Sequence, residues 1–222
     1  MKLRPYQNKL IDHARTSFKQ NKAVLMQSPT GSCKTATVVY MLKQALLKGQ
    51  KSAFIVHRKE LIDQSVQALK DQGITCGVIA PGYEPDPSSM VQVASIHTLH
   101  RRKNAINPND FNLVVFDECH HIASKSWSEV FDSFETAFKI GLTATPERLD
   151  GRGLDTHFKS MVTGPSVEWL IENNFLAKYV YYAPSKLDMK GIKKSMGDYN
   201  KTQMNEAVEK SSIVGDCLKH YN

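Results

Sequence analysis

Residues 28–35 read SPTGSCKT, and their types and order suit phosphate chemistry. A lysine reaches phosphate oxygens, the hydroxyl after it holds Mg²⁺, and the loop N–H groups wrap the anion at a helix start. The residues expected in this cradle are Pro29, Thr30, Gly31, Ser32, Cys33, Lys34 and Thr35. The glycine that usually precedes the lysine is here Cys33, which puts a thiol where backbone freedom is wanted. By itself the loop leaves three readings open: a working nucleotide site, an impaired one, or an ordinary strand-to-helix turn.

A second group further along the chain completes the chemistry. LVVFDECH places Asp117 and Glu118 at the end of an apolar run. A carboxylate there reaches the Mg²⁺ that Thr35 also holds, and a second one orients or deprotonates an attacking water. Lys34, Asp117 and Glu118 are therefore the expected catalytic set for hydrolysis of a nucleoside triphosphate, with Thr35 and Asp117 on the metal.

These side chains have to be carried by strands. AVLMQ (23–27), KSAFIVH (51–57), ITCGVIA, MVQVASI, FNLVVFDE (111–118) and FKIGLTAT (138–145) are short apolar runs of strand type. KTATVVYMLKQALLKG and RKELIDQSVQALKDQG have helical spacing and stop at Gly49 and Gly73. PGYEPDPSS is loop material. Strands alternating with helices, and apolar throughout, predict an α/β fold with a mostly parallel sheet covered by helices on both faces. Ligands of such a sheet bind beyond the carboxyl ends of the strands, where Lys34 and Asp117 then lie. After about Pro184 the chain turns polar and lysine-rich, which reads as a linker, and IVGDCLKHYN reads as a short helix.

With SPTGSCKT, VVFDECHH and GLTATP in that order, the chain resembles superfamily 2 helicases of the DEAD/DEAH-box kind, over roughly residues 1–185. LTATPERLDGRGL, followed by GPSVEWLIENNFLAKYVYYAP, is most similar to the restriction-enzyme helicase subunits of bacteria and phages, which act mostly on DNA. The resemblance implies a RecA-like P-loop NTPase lobe using ATP and Mg²⁺. It implies that Gln7 in LRPYQ reads the adenine edge, with Arg4 helping. VHRKELIDQ and SIHTLHR resemble the elements that grip nucleic-acid backbone, which assigns Arg58, Lys59, Ser95, His97, Thr98 and Arg101 to that task. Arg58, Lys59, Arg101 and Arg102 all read as following strand ends near helix N-termini. His120 and the Thr143–Ala144–Thr145 run would couple hydrolysis to strand movement, while His121 carries no expected role. Two readings stay beside this one within the same fold: a nucleic-acid-binding module whose ATPase is impaired by Cys33, and an RNA helicase. TATP and LRPYQ argue against a P-loop ATPase with another cargo.

Bulk properties agree. The 222 residues carry a formal net charge of +7, which suits a polyanion partner. Cys33, Cys76, Cys119 and Cys217 have no C-x-x-C spacing, so free thiols in a reducing, cytoplasmic setting are expected. No apolar run has membrane length and the N-terminus has no signal-like apolar stretch. Such helicases need two lobes, and no second one is legible. The expected organisation is an ATP-binding lobe over 1–185, then a linker and the start of a missing second lobe over 186–222, in a monomer encoded by a bacterium or phage.

Overall fold

The apolar runs become strands almost where their composition puts them. A computed structural model describes residues 2–146 and 154–179, and further on the backbone of the antiparallel pair Lys194–Ser195 and Asp198–Tyr199. Residues 1–177 form one unit, and the chain from Lys178 belongs to a second. In the first unit the strands are β1 (Ala23–Gln27), β2 (Ser52–Val56), β3 (Gly77–Ile79), β4 (Val91–Ser95), β5 (Leu113–Phe116), β6 (Phe138–Thr143) and β7 (Ser160–Thr163). They form one seven-stranded sheet in the order β3-β4-β2-β5-β6-β1-β7, and every pairing is parallel. This is the RecA-like architecture expected.

Helices pack on both faces of the sheet; the β1–β2, β2–β3, β4–β5 and β5–β6 connections each carry one, while β3 and β4 are joined by a loop. Those helices are α1 (Pro5–Ser17), α2 (Lys34–Leu47), α3 (Lys59–Lys70), α4 (Ile96–Arg101), α5 (Lys125–Ser133) and α6 (Val167–Glu172). Strand residues alternate between two cores. Val24, Met26, Phe54, Val56 and Val115 pack with α1, α2 and α3. Leu25, Ile55, Val114 and Phe116 pack with α4 and α5. That alternation is why the strands read as unbroken apolar runs.

Gly141 shows how tightly the second core closes. A Cβ there would meet Phe158 Cζ at 2.5 Å and Cys119 Sγ at 2.7 Å. Only glycine lets Cys119, the third letter of DECH, pack beneath β6. Burial pushes its thiol far above the ordinary range.

β7 and the helices α1, α4, α5 and α6 were not legible in the sequence. In β7, the edge strand, only Val162 is buried, so no apolar run marks it. α1 buries Tyr6, Gln7, Leu10, Ile11 and Ala14, a stripe that includes a polar residue and is hidden by its charged neighbours.

Candidate nucleotide site

The sheet register brings the two carriers of phosphate chemistry together. Gln27 ends β1 opposite Thr143 at the end of β6, and Phe116 ends β5 opposite Gly141 of β6 and Ile55 of β2. The segments that follow these strands share the carboxyl edge. Between them lies a cavity of about 560 Å³ whose lining includes Lys34, Thr35, Arg58, Asp117 and Glu118.

The loop from Ser28 to Cys33 is braced from within. Ser28 N–H donates to Thr143 O at 2.9 Å, which hangs the loop from β6. Ser32 Oγ donates to Pro29 O at 2.6 Å and lies 2.7 Å from Ser28 Oγ. Gly31 sits at φ +81, which favours glycine, and a Cβ there would lie 2.6 Å from Leu176 Cδ2, so any side chain would also push Leu176 aside. Lys34 Nζ reaches back to Ser28 O at 3.4 Å and so spans the cradle. Thr35 is exposed on the first turn of α2.

Cys33 occupies the N-cap of α2 at φ +58, ψ +49. That is the left-handed region which glycine enters freely and other residues enter at a cost. The cysteine has taken the backbone conformation of the glycine it stands for. Its side chain is exposed, with Sγ 3.8 Å from Gly31 O.

Across the cavity, Glu118 is a second non-glycine residue in the left-handed region, at φ +48. Burial pushes the Asp117 carboxyl above the usual carboxylate range, the charge of Glu118 adds to this, and the Lys34 ammonium opposes it. An arriving cation would relieve both of the first two effects. The donor set is hard oxygen beside a lysine, which fits Mg²⁺ carried by polyphosphate. When bound, that ion would supply positive charge against the phosphates.

The residues expected to couple are joined. His120 Nδ1 lies 3.3 Å from both Glu118 Oε2 and Thr143 Oγ1. Thr143 Oγ1 donates to Thr145 O at 2.9 Å and accepts from Thr145 N–H at 3.1 Å. Gln27 Nε2 reaches Ala144 O at 3.5 Å, tying the run to β1.

His57 and His121, to which no role was assigned from the sequence, line the same cavity. Their rings lie 5.5 Å apart and His121 packs on Trp127 at 5.6 Å. Arg58 Nε donates to His57 Nε2 at 3.0 Å, which directs the arginine along the cavity wall. Burial first, then neighbouring positive charge, lowers both imidazoles below the ordinary histidine range.

In the adenine element, Gln7 is tied to the phosphate loop and Arg4 to the turn after α6. Gln7 is buried, and its Nε2 faces Cys33 O at 3.2 Å, Thr37 Oγ1 at 3.1 Å and Ser32 O at 3.5 Å. Gln7 here braces the loop, and a base edge would have to compete with those acceptors. Arg4 Nη1 lies 3.4 Å from both Tyr6 Oη and Phe175 O.

Of the residues expected on nucleic acid, Arg58 and Lys59 do open α3 and are exposed. Arg101 is a correction: it ends α4 and Arg102 is the C-cap, so neither stands at a helix N-terminus. The reason is that α4 begins directly at Ile96 and is only six residues long. Ser95 and Thr98 are buried, which leaves His97 and Arg101 as the exposed members of that run.

A RecA-like sheet with a phosphate loop after β1 and an Asp–Glu pair after β5 is the nucleotide-binding lobe of a P-loop NTPase. The family described as "Type III restriction enzyme, res subunit" matches residues 1–148, and the chain belongs to it, as the N-terminal domain of a superfamily 2 helicase. The "51.5 kDa protein" of Lactococcus phage (isolate 7-9) is 31% identical over 89% of this chain and 40% of its own length. The "DNA 3'-5' translocase XPB2" of Sulfurisphaera tokodaii is 28% identical over 90% of this chain and 45% of its own. The crystal structure of the UvsW helicase from bacteriophage T4 shares the fold, with a TM-score of 0.59 at 18% identity, over 73% of this chain and 60% of that one. The chain thus spans less than half the length of these two sequence relatives.

Proposed function

We propose that this chain is the ATP-binding lobe of an ATP-dependent DNA helicase or translocase, and that it hydrolyses ATP effectively only when joined to a second RecA-like lobe. The observation that carries the reading is the meeting of Lys34, Thr35, Asp117 and Glu118 on one cavity, across strands far apart in sequence. ATP lies with its phosphates in the loop. Lys34 neutralises charge on them, Thr35 and Asp117 hold the Mg²⁺, and Glu118 orients the water. His120 passes the state of Glu118 to Thr143 and the run behind it. Exposed Arg58, Lys59, His97 and Arg101 supply phosphate contacts that do not depend on base sequence. DNA is favoured over RNA by the Sulfurisphaera tokodaii relative, which is named a DNA 3'-5' translocase. The lobe extends to about residue 185, and the chain beyond leads into the second lobe. The protein acts as a monomer in the cytoplasm of a bacterial cell. Among the described residues no helix is long and apolar enough to cross a membrane.

Calorimetric titration tests the site. Mg²⁺-ATP should bind weakly to this chain, and Lys34→Ala should abolish binding; an unchanged affinity would refute the assignment. Turnover should be slow and insensitive to DNA, because the arginine that related enzymes receive from a partner lobe is worth about 10³- to 10⁵-fold. Robust DNA-stimulated hydrolysis by the 222-residue chain alone would contradict the need for a second lobe.

A further inference from the structure

The matched family region ends at residue 148, yet the loop and the LRPYQ element are both held by residues beyond it. α6 is fixed at each end. Ser166 Oγ accepts from Trp169 N–H at 3.2 Å, and Leu170 is fully buried. Asn174 turns the chain back at φ +59, a conformation asparagine tolerates. Phe175 N–H and Leu176 N–H then both donate to Leu170 O, at 2.8 and 3.1 Å. The two side chains after this turn are set against the nucleotide site. Leu176 lies on Gly31 of the phosphate loop. The Arg4 guanidinium lies over the Phe175 ring, 5.0 Å from its centroid. The Phe175 ring packs edge-on against Tyr6 at 5.2 Å and stacks with Trp169 at 5.8 Å, and Tyr6 Oη donates to Ser32 O of the loop at 3.0 Å.

A guanidinium is planar and has two faces. Phe175 covers one, and Arg4 remains partly exposed; the other face is the one a second π system would take. Gln7, in the same turn of α1, has its amide nitrogen on the loop acceptors, and a base edge would have to compete with them. Stacking on Arg4 would add to whatever Gln7 supplies to the base.

We propose that Phe175 and Leu176 form the base-side wall of the nucleotide site, with Phe175 the positioning residue that holds Arg4 flat for stacking on the purine and Leu176 seating the mid-loop glycine. The proposal rests on the nucleotide-site reading above. It makes the turn after α6 part of the ATP site, although its residues approach no phosphate-binding side chain.

The test compares two probes with Mg²⁺ present: ADP, which has a base, and tripolyphosphate, which has none. Phe175→Leu keeps the apolar packing and removes the π face. It should weaken ADP by about 3- to 30-fold, the range of a cation–π contact, and leave tripolyphosphate unchanged. Arg4→Lys, which keeps the charge and loses the plane, should cost ADP a similar factor, and the double variant should lose no more than either alone. Equal weakening of both probes by Phe175→Leu would show a general loosening of the loop and overturn the proposal. So would unchanged ADP affinity, or losses that simply multiply in the double variant. Lys34→Ala should weaken both probes, and if it weakens neither, the site reading itself fails and this one with it.

Discussion

Cys33→Gly separates strain in the fold from obstruction of the phosphates. Cys33 stands at φ +58, ψ +49, in the left-handed region. Holding an L-residue there costs about 1–2 kcal/mol, and glycine removes that cost. Glycine also gains freedom in the unfolded chain, which offsets about 0.5–1 kcal/mol. The net gain is about 0.5–1 kcal/mol, or roughly 1–4 °C in melting temperature for a chain of this size. Binding follows a different rule. The strain is present in the free and the bound loop alike, so it cancels from the affinity. Restoring glycine should therefore change ADP affinity by less than about threefold, equivalent to about 0.7 kcal/mol. A thiol that displaced a phosphate from one loop N–H would instead forfeit a charge-assisted hydrogen bond, about 1.5–3 kcal/mol, and glycine would raise affinity about 10- to 150-fold. Urea unfolding and calorimetric ADP titration of both proteins read the two quantities. A tenfold or larger gain in affinity with unchanged stability would refute the reasoning and identify Cys33 as a lesion in the site.

Three further outcomes follow from the packing and charge around the cavity. Gly141→Ala should destabilise the chain by about 1–3 kcal/mol in urea unfolding, because the new methyl would overlap Phe158 and Cys119. His57 and His121 have lowered proton affinity in the folded chain, so as pH falls the unfolded chain is protonated first. Stability should be complete above the ordinary histidine range, near about pH 6.5, and fall as pH drops from there toward the lowered values. Between pH 7.5 and 5.5, as two test points about a pH unit either side of that range, His57→Gln should flatten the fall in stability; an unaltered slope would count against the burial argument. Cys33 is exposed in the phosphate cradle, so ADP should slow its alkylation, measured by mass spectrometry, while buried Cys119 stays unmodified with or without nucleotide.

The central strands were legible because burial on both faces leaves mostly apolar residues in them, and β1, β2, β4, β5 and β6 fall within the runs the sequence offers. β7 was not, because an edge strand with one buried side chain has no such signature. The helix ends explain the misplaced Arg101. A motif fixes the order of residues but not where a helix starts, and α4 begins one residue after its strand. The loop was legible as a candidate phosphate cradle for a local reason. A loop that must close on an anion within a few residues leaves its lysine, hydroxyl and glycine side by side in sequence.

The wall on the base side has no such constraint. It joins Arg4 and Tyr6 near one end of the unit to Phe175 and Leu176 near the other, and no spacing rule connects them. The parallel sheet makes the connection. β7 pairs with β1, the strand that launches the phosphate loop, and Gly164 N–H donates to Gln27 O at 2.8 Å where the two strands end. Whatever follows β7 is thereby delivered to the flank of the loop, as whatever follows β5 is delivered to its front. The same topology that brings Asp117 to Lys34 also brings Phe175 to Arg4. An aromatic residue in an unremarkable turn acquires a place in the site through the strand before it, which is why stacking there, and not the turn's own sequence, is what the paired ADP and tripolyphosphate titrations have to measure.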